Sequence, residues 1–275
     1  MKKHKCLIIA IFIAGLVGMI WYMQPVDKSK MVMMDVRIWK DTPGWPLAKA
    51  VRQGNVGKVR HLVENGMPVD IREPKQGLTV LFGAVWKVDK EMVHCLLELG
   101  ADPNLKIKVY DYNVSTAFME ACRDVSSYEP STKDIVIDML EHGAEPNTVA
   151  RTKTALGAAC RYTDLTFVKL LVEKYQMDVN VETPQGYCST YIESTPLASA
   201  IFNERFKIAL YLLQQGANLD KAILYSKDSD ENPLTFWTYI ENTDKKRPWA
   251  KSSKYEEIEK EYQAFRSYIR ERYGR

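Results

Sequence analysis

The sequence predicts an all-α solenoid, a stack of helix–turn–helix units joined by finger loops. Three observations carry that reading. A threonine followed by small and apolar residues recurs at residues 79, 116, 154 and 195, with a Trp-Pro-Leu variant at 45. A second apolar helical pattern follows each opening, and most units close on Gly-Ala-x-x-Asn or a near variant. The starts lie 34 to 41 residues apart, and a fixed period of this size marks a repeat architecture.

The units can be justified in order. The first opens at Trp45-Pro46-Leu47-Ala48, passes through Val59 and Leu62-Val63, and closes at Gly66-Met67-Pro68-Val69-Asp70. The second runs from Thr79-Val80-Leu81 through Leu96-Leu97 to Gly100-Ala101-Asp102-Pro103-Asn104. The third runs from Thr116-Ala117-Phe118 to Gly143-Ala144-Glu145-Pro146-Asn147. The fourth runs from Thr154-Ala155-Leu156 through Leu170-Leu171 to Met177-Asp178-Val179-Asn180. The fifth runs from Thr195-Pro196-Leu197-Ala198 through Leu212-Leu213 to Gly216-Ala217-Asn218-Leu219-Asp220. Each part has a physical role. Threonine caps the free backbone donors that start a helix. Alanines let paired helices approach closely, and leucines at helical spacing fill the seam between units. Glycine after the second helix takes the left-handed C-cap. No unit buries its apolar face alone, so the stack is the domain.

Thr-Pro-Leu followed by small residues, then Leu-Leu and Gly-Ala-Asp-x-Asn, resembles the ankyrin repeat over roughly residues 42–222. The resemblance implies a curved, non-catalytic module that binds other proteins. The chain departs from the pattern in places. His never follows Thr-Pro-Leu, Pro is kept only in units one and five, and Tyr175-Gln176 replaces Gly-Ala in unit four.

Residues 232–240 read as a sixth, degraded start. A helix over residues 253–273 follows, with Tyr255, Ile258, Tyr262, Phe265 and Ile269 on one face and charge on the other. A terminal cap of a stack needs that division. The predicted organisation is thus an N-terminal segment at 1–24, a linker at 25–41, the repeats at 42–244 and a capping helix at 245–275.

Residues 6–23 carry no charge, follow Lys2, Lys3 and Lys5, and end at Trp21 and Tyr22. Their length suffices to cross a bilayer, the lysines suit its cytoplasmic side, and the aromatics suit the far interface. An uncleaved anchor with the repeats in the periplasm is preferred over a cleaved signal peptide, because no small-x-small site stands between Gly18 and Lys28. Met31, Met33 and Met34 are candidates for an internal start that yields a cytoplasmic form; the alternative is that they are ordinary methionines.

The net charge is +3 over 275 residues, and the three N-terminal lysines account for it. A neutral body argues against nucleic acid, whose phosphates need a basic field. The five cysteines include no C-x-x-C, which leaves a structural zinc site unsupported. Cys122 and Cys160 occupy matching places in neighbouring units, too far apart to bridge, and read as small buried thiols.

Insertions at 105–115 and 181–194 lengthen two finger loops, and one at 124–133 lengthens a turn between helices. The fingers carry Tyr110, Tyr112, Tyr187 and Tyr191. These tyrosines either contact a partner, as rigid amphipathic loop residues do, or pack the fingers on one another. The ankyrin resemblance places partners at the fingers and at the exposed end of each first helix. Counting seven and eight residues past each start gives Arg52-Gln53, Trp86-Lys87, Arg123-Asp124, Arg161-Tyr162 and Phe202-Asn203. Arg, Trp and Tyr are the types most enriched at binding hot spots. The candidate partner-binding residues are therefore Arg52, Trp86, Lys87, Tyr112, Arg123, Asp124, Arg161, Tyr162, Tyr191, Phe202 and Asn203. They call for a partner with acidic groups beside apolar pockets.

Catalytic motifs are absent: the chain has no G-x-S-x-G, P-loop, H-E-x-x-H or dinucleotide fingerprint. His61, His94 and His142 fall on or just past second helices, where a structural role is expected. No cofactor, metal or small-molecule substrate is expected. The export segment, small ankyrin domain and Tyr- and Arg-rich face together resemble bacterial ankyrin-type immunity proteins. Those neutralise lipase effectors delivered by type VI secretion. The resemblance implies a secreted lipase or phospholipase toxin as partner; the alternative is an envelope scaffold without inhibitory role.

Overall fold

In the computed structural model the described residues are 36–110, 113–124, 131–150, 153–183, 191–221, 223–226, 234–246 and 253–274. The expected membrane segment and the three candidate start methionines lie outside them. Residues 36–275 form one unit by their contacts. Among the described residues no helix is long and apolar enough to cross a membrane.

Each unit contributes a helix pair. The pairs are α1 (Trp45–Arg52) with α2 (Val56–Glu64), α3 (Val80–Trp86) with α4 (Lys90–Glu98), and α5 (Ala117–Asp124) with α6 (Ser131–Glu141). Then follow α7 (Ala155–Tyr162) with α8 (Leu165–Glu173), α9 (Pro196–Phe202) with α10 (Phe206–Gln214), and α11 (Phe236–Lys246) with α12 (Ser253–Tyr273). From α1 to α9 the first helices pack side by side in chain order as one row. The second helices form the other row, with α6 and α8 linked by the ion pairs Lys133–Asp164 and Glu141–Lys174. The core lies between the rows, from Leu47 through Leu81, Phe118, Leu156 and Leu197 to Phe265.

The predicted threonine caps are in place. Thr79, Thr116, Thr154 and Thr195 accept from the N–H three residues on, at 2.9 to 3.3 Å. Asn55, Asp89 and Asp164 cap the second helices in the same way. Cys95, Cys122 and Cys160 are buried free thiols, and burial pushes the Cys122 thiol far up.

Two glycines on the inner row separate space from strain. A methyl group at Gly83 would meet nothing within 4 Å, whereas at Gly157 it would lie 2.7 Å from Thr154 Oγ1 and 2.9 Å from Ser199 Oγ. The close approach of α7 and α9 therefore requires glycine. Gly83→Ala is expected to raise stability by up to about 1 kcal/mol through helix propensity. Gly157→Ala should instead lower it by roughly 1–2 kcal/mol, as overpacking does. Urea titration of the two variants checks the opposite signs.

Between units runs a polar ladder that gives the recurring asparagine its role. Asn104 donates to Gly143 O at 2.9 Å and accepts from Glu145 N at 2.8 Å in the next unit. Asn180 makes the same pair of bonds with Gly216 O and Asn218 N, at 3.1 and 2.8 Å. Asn147 accepts from Asp178 N at 2.8 Å. In the first unit Asp70 holds this place and accepts from Asp102 N at 3.2 Å. A carboxylate cannot donate to the neighbouring carbonyl. Partial burial raises the Asp70 carboxyl above its ordinary range, against the opposing pull of the Asp102 N–H. Its contribution to stability is therefore present below the unfolded value and lost as pH rises through the folded one. Asp70→Asn is expected to add about 0.5–1 kcal/mol at neutral pH, the worth of one further hydrogen bond, and to remove that part of the pH dependence. Denaturation at acidic and neutral pH measures both.

Three features depart from the sequence reading. The fold is not wholly helical, because the fingers pair into short antiparallel sheets. These are β1 (Ile107–Tyr110) with β2 (Asn113–Ser115), β3 (Val149–Ala150) with β4 (Lys153–Thr154), and β5 (Tyr191–Glu193), β6 (Ile223–Ser226) and β7 (Leu234–Thr235) in that order. Most of these fingers turn back on themselves, so the two extended strands of one finger satisfy each other's donors and acceptors. The exception is β5 with β6, which pairs strands of successive fingers that stacking brings alongside one another. The repeat unit also begins earlier than the linker expected to end at 41. Val36–Trp39 is a 3-10 helix whose Trp39 is buried against the first unit, in contact range of Gly44. Finally, Tyr255 does not join the apolar face of α12 and stays 39% exposed, while Tyr262, Phe265 and Ile269 are buried.

Candidate functional site: a cation–aromatic strip at the first-helix ends

The ends of the first helices line up because the helices stack in register, so residues one unit apart in sequence become neighbours in space. At the start of the strip Arg52 is exposed at the end of α1. Lys87, at the C-cap of α3, donates from Nζ to Arg52 O at 3.1 Å and sits 3.7 Å from Asp89. Trp86 is half-buried beside it.

The centre is held by a buried carboxylate. Glu120 on α5 is only 3% exposed, accepts from Ser115 Oγ at 2.8 Å, and lies 2.5 Å from Arg123 Nη2. The Arg123 guanidinium also covers the Trp86 ring, 5.6 Å from its centroid. Arg123 thus joins two units, held by the Glu120 carboxylate on one side and by its cation–ring contact with Trp86 on the other.

In the fourth unit, Arg161 lies 5.0 Å and Lys153 5.6 Å from the Tyr162 centroid. Lys153 belongs to β4 and escaped the count of helix ends, since it precedes its unit's start. No local signal marks it; only the finger's return path brings it to the ring. Phe202 ends α9 half-buried. Asn203 donates to Ser199 O at 2.7 Å. That bond closes the end of its own helix. The site therefore brings together Arg52 with Lys87, Trp86 with Arg123, and Arg161 with Tyr162. Tyr112, with Tyr187, lies outside the described residues, as do the side chains of Asp124, Tyr110 and Tyr191.

The histidines occupy a different place, on the second-helix row. Asp138 receives both: His94 Nδ1 lies 3.1 Å from its carboxylate, and His142 Nδ1 2.8 Å from its backbone oxygen. Among the described residues no group of His, Cys, Asp and Glu is arranged to hold a metal ion.

A stack of helix pairs with finger hairpins and an open strip of cations and aromatic rings is a repeat solenoid of the protein-binding kind. Comparison with known proteins names the repeat. Residues 118–223 match the family model for ankyrin repeats in three copies. An ankyrin repeat domain from Acinetobacter baumannii AYE superposes with a TM-score of 0.57 at 23% identity, over 80% of this chain and 97% of that one. That likeness shows the fold. Over 82 residues the chain is 30% identical to alpha-latrocrustotoxin-Lt1a of Latrodectus tredecimguttatus. The match takes in 30% of this chain but spans only 5% of the length of that curated relative. Residues 118–223 thus match ankyrin repeats, the chain has the helical ankyrin-repeat fold, and repeats of this kind indicate a protein partner.

Proposed function

We propose that the chain is an immunity protein, anchored in the inner membrane with its repeats in the periplasm, which binds and neutralises a secreted lipase or phospholipase toxin delivered by type VI secretion. The observation that carries the binding role is the central Trp86–Arg123–Glu120 cluster. Its arginine, already ordered by a ring and a carboxylate, is a contact of the type that dominates interfaces. The exported toxin as target rests on the resemblance in layout: a basic start, an uncharged segment at residues 6–23, and a small ankyrin domain behind it. The repeats would cover the toxin's active-site entrance or its membrane-docking surface, so no chemistry is required of the chain. A cytoplasmic form from an internal start would leave toxin in the periplasm unopposed.

The test is growth rescue. A hydrolase encoded beside this chain, directed to the periplasm of a susceptible host, is expected to arrest growth, and the full chain to restore it. Deleting residues 1–24 should abolish rescue. Rescue by the deleted form would overturn the periplasmic placement. Failure of the full chain to rescue, with capture of several unrelated envelope proteins, would overturn the inhibitor reading in favour of a scaffold.

A further inference from the structure

We infer that the strip receives an extended acidic segment of its protein partner, with carboxylates about three residues apart and apolar side chains between them. The inference rests on the strip being the binding face and goes on to name the chemistry that fits it. Charge is concentrated there. The chain as a whole carries +3, which the three N-terminal lysines account for, yet Arg52, Lys87, Arg123 and Arg161 stand at the first-helix ends of four successive units. The acids near them are Asp124 beside Arg123 in sequence, Asp89 at 3.7 Å from Lys87, and the buried Glu120 that meets Arg123.

The arginines are presented in a particular way. The Arg123 guanidinium stands over Trp86, 5.6 Å from its centroid, while one nitrogen meets Glu120, and Arg161 stands over Tyr162 at 5.0 Å. A guanidinium held over a ring by its charge has donors in excess of the one that meets Glu120, and a planar fork of donors grips a carboxylate with two bonds. Because the ring and the buried carboxylate already order Arg123, little side-chain freedom is lost on binding. The rings beside these cations offer apolar area to whatever lies between two carboxylates.

Spacing selects the form of the segment. Packed helices stand roughly 10 Å apart, and an extended chain advances about 3.3 Å per residue. One unit therefore corresponds to about three residues, and the four cations to a segment of about ten to twelve.

The probe is a dye-labelled peptide of about twelve residues, long enough to reach four units, with glutamate at every third position and leucine, serine and glycine between. Binding to the full chain is followed by fluorescence anisotropy. We expect the glutamine counterpart to bind at least about tenfold more weakly, and the acidic peptide to lose affinity as salt is raised. Arg123→Gln, which keeps an amide donor for Glu120, and Arg161→Gln should each weaken binding about tenfold, and Arg123→Lys by less than Arg123→Gln. Arg60→Gln on the second-helix row, where Arg60 pairs with Glu98, should change nothing. Equal binding of the glutamine peptide, no binding of the acidic one up to about 1 mM, or an equal loss in Arg60→Gln would overturn the inference. Capture of the native partner separates this from the binding-face reading. Loss in Trp86→Ala and Phe202→Ala, with Arg123→Gln and Arg161→Gln intact, sinks the acidic chemistry alone. Capture indifferent to all four sinks the face.

Discussion

Phe206→Ala is expected to lower the stability of the chain by about 3–5 kcal/mol, the range for emptying a fully buried aromatic site. Phe206 opens α10 and is wholly buried. Its ring meets Tyr262 edge-on at 4.9 Å and Phe265 at 5.6 Å, both on the capping helix α12. Phe236 of α11 reaches the same Phe265 at 6.2 Å. Polar contacts secure the rim: Arg266 pairs with Asp244 at 2.8 Å, and Lys207 with Glu257 and Glu261 at 3.0 Å. The exposed Lys207 pairs contribute little, whereas Arg266 is itself buried, so the aromatic cluster with the Arg266–Asp244 pair is the fastening. In a stack each unit is stabilised by its neighbours, and this cluster is what joins α12 to α10. The loss should therefore appear first as faster amide exchange in α10 and α12, with the first units protected to higher denaturant. A drop below about 1 kcal/mol, or a uniform rise in exchange, would show that the cap is held otherwise.

Arg123→Ala is the second large effect, about 2–3 kcal/mol. Removing one partner of a buried ion pair leaves the other charge unpaired, at roughly 3–5 kcal/mol. The value here is discounted because the Arg123 side chain is 36% exposed while that of Glu120 is 4%. Ser115 remains to donate to Glu120 Oε1, but Oε2 loses its cation, and Trp86 loses the guanidinium over its ring. The informative measurement is a cycle with Glu120→Gln. The double variant should recover most of the loss, because no buried charge is then left unpaired. Additive losses would mean that Arg123 stabilises the fold through Trp86 rather than through Glu120. Either result bears on binding, since the same contacts order the arginine that we assign to the partner.

Much of the fold was legible because its determinants are local. A threonine three residues ahead of a helical N–H caps it whatever lies beyond, and Thr79, Thr154 and Thr195 mark their helices in the sequence as they do in space. The buried face of α12 was legible for a related reason, since apolar residues at helical spacing must be covered; Tyr255, near the start of α12, marks where that covering stops. The candidate site was half legible. Counting from each start located Arg52, Trp86, Lys87, Arg123, Arg161 and Tyr162. It could not show that Asn203 folds back on Ser199, a choice between two hydrogen-bonding options that only the helix end decides. Nor could it find Lys153, or the bridging role of Asn104 and Asn180, whose partners lie some 36 to 41 residues away.

What the sequence determined by itself is the repeat: where each helix pair begins, that the units must stack, and which face of the last helix is apolar. Capping, periodicity and turn chemistry act over a few residues, and the chain states them directly. The tertiary structure alone decided the pairing of β5 with β6, the burial of Trp39, and the placing of Arg123 between Trp86 and Glu120. Those contacts join residues far apart in sequence, and they exist because stacked helices bring equivalent positions of successive units to within a side chain's reach.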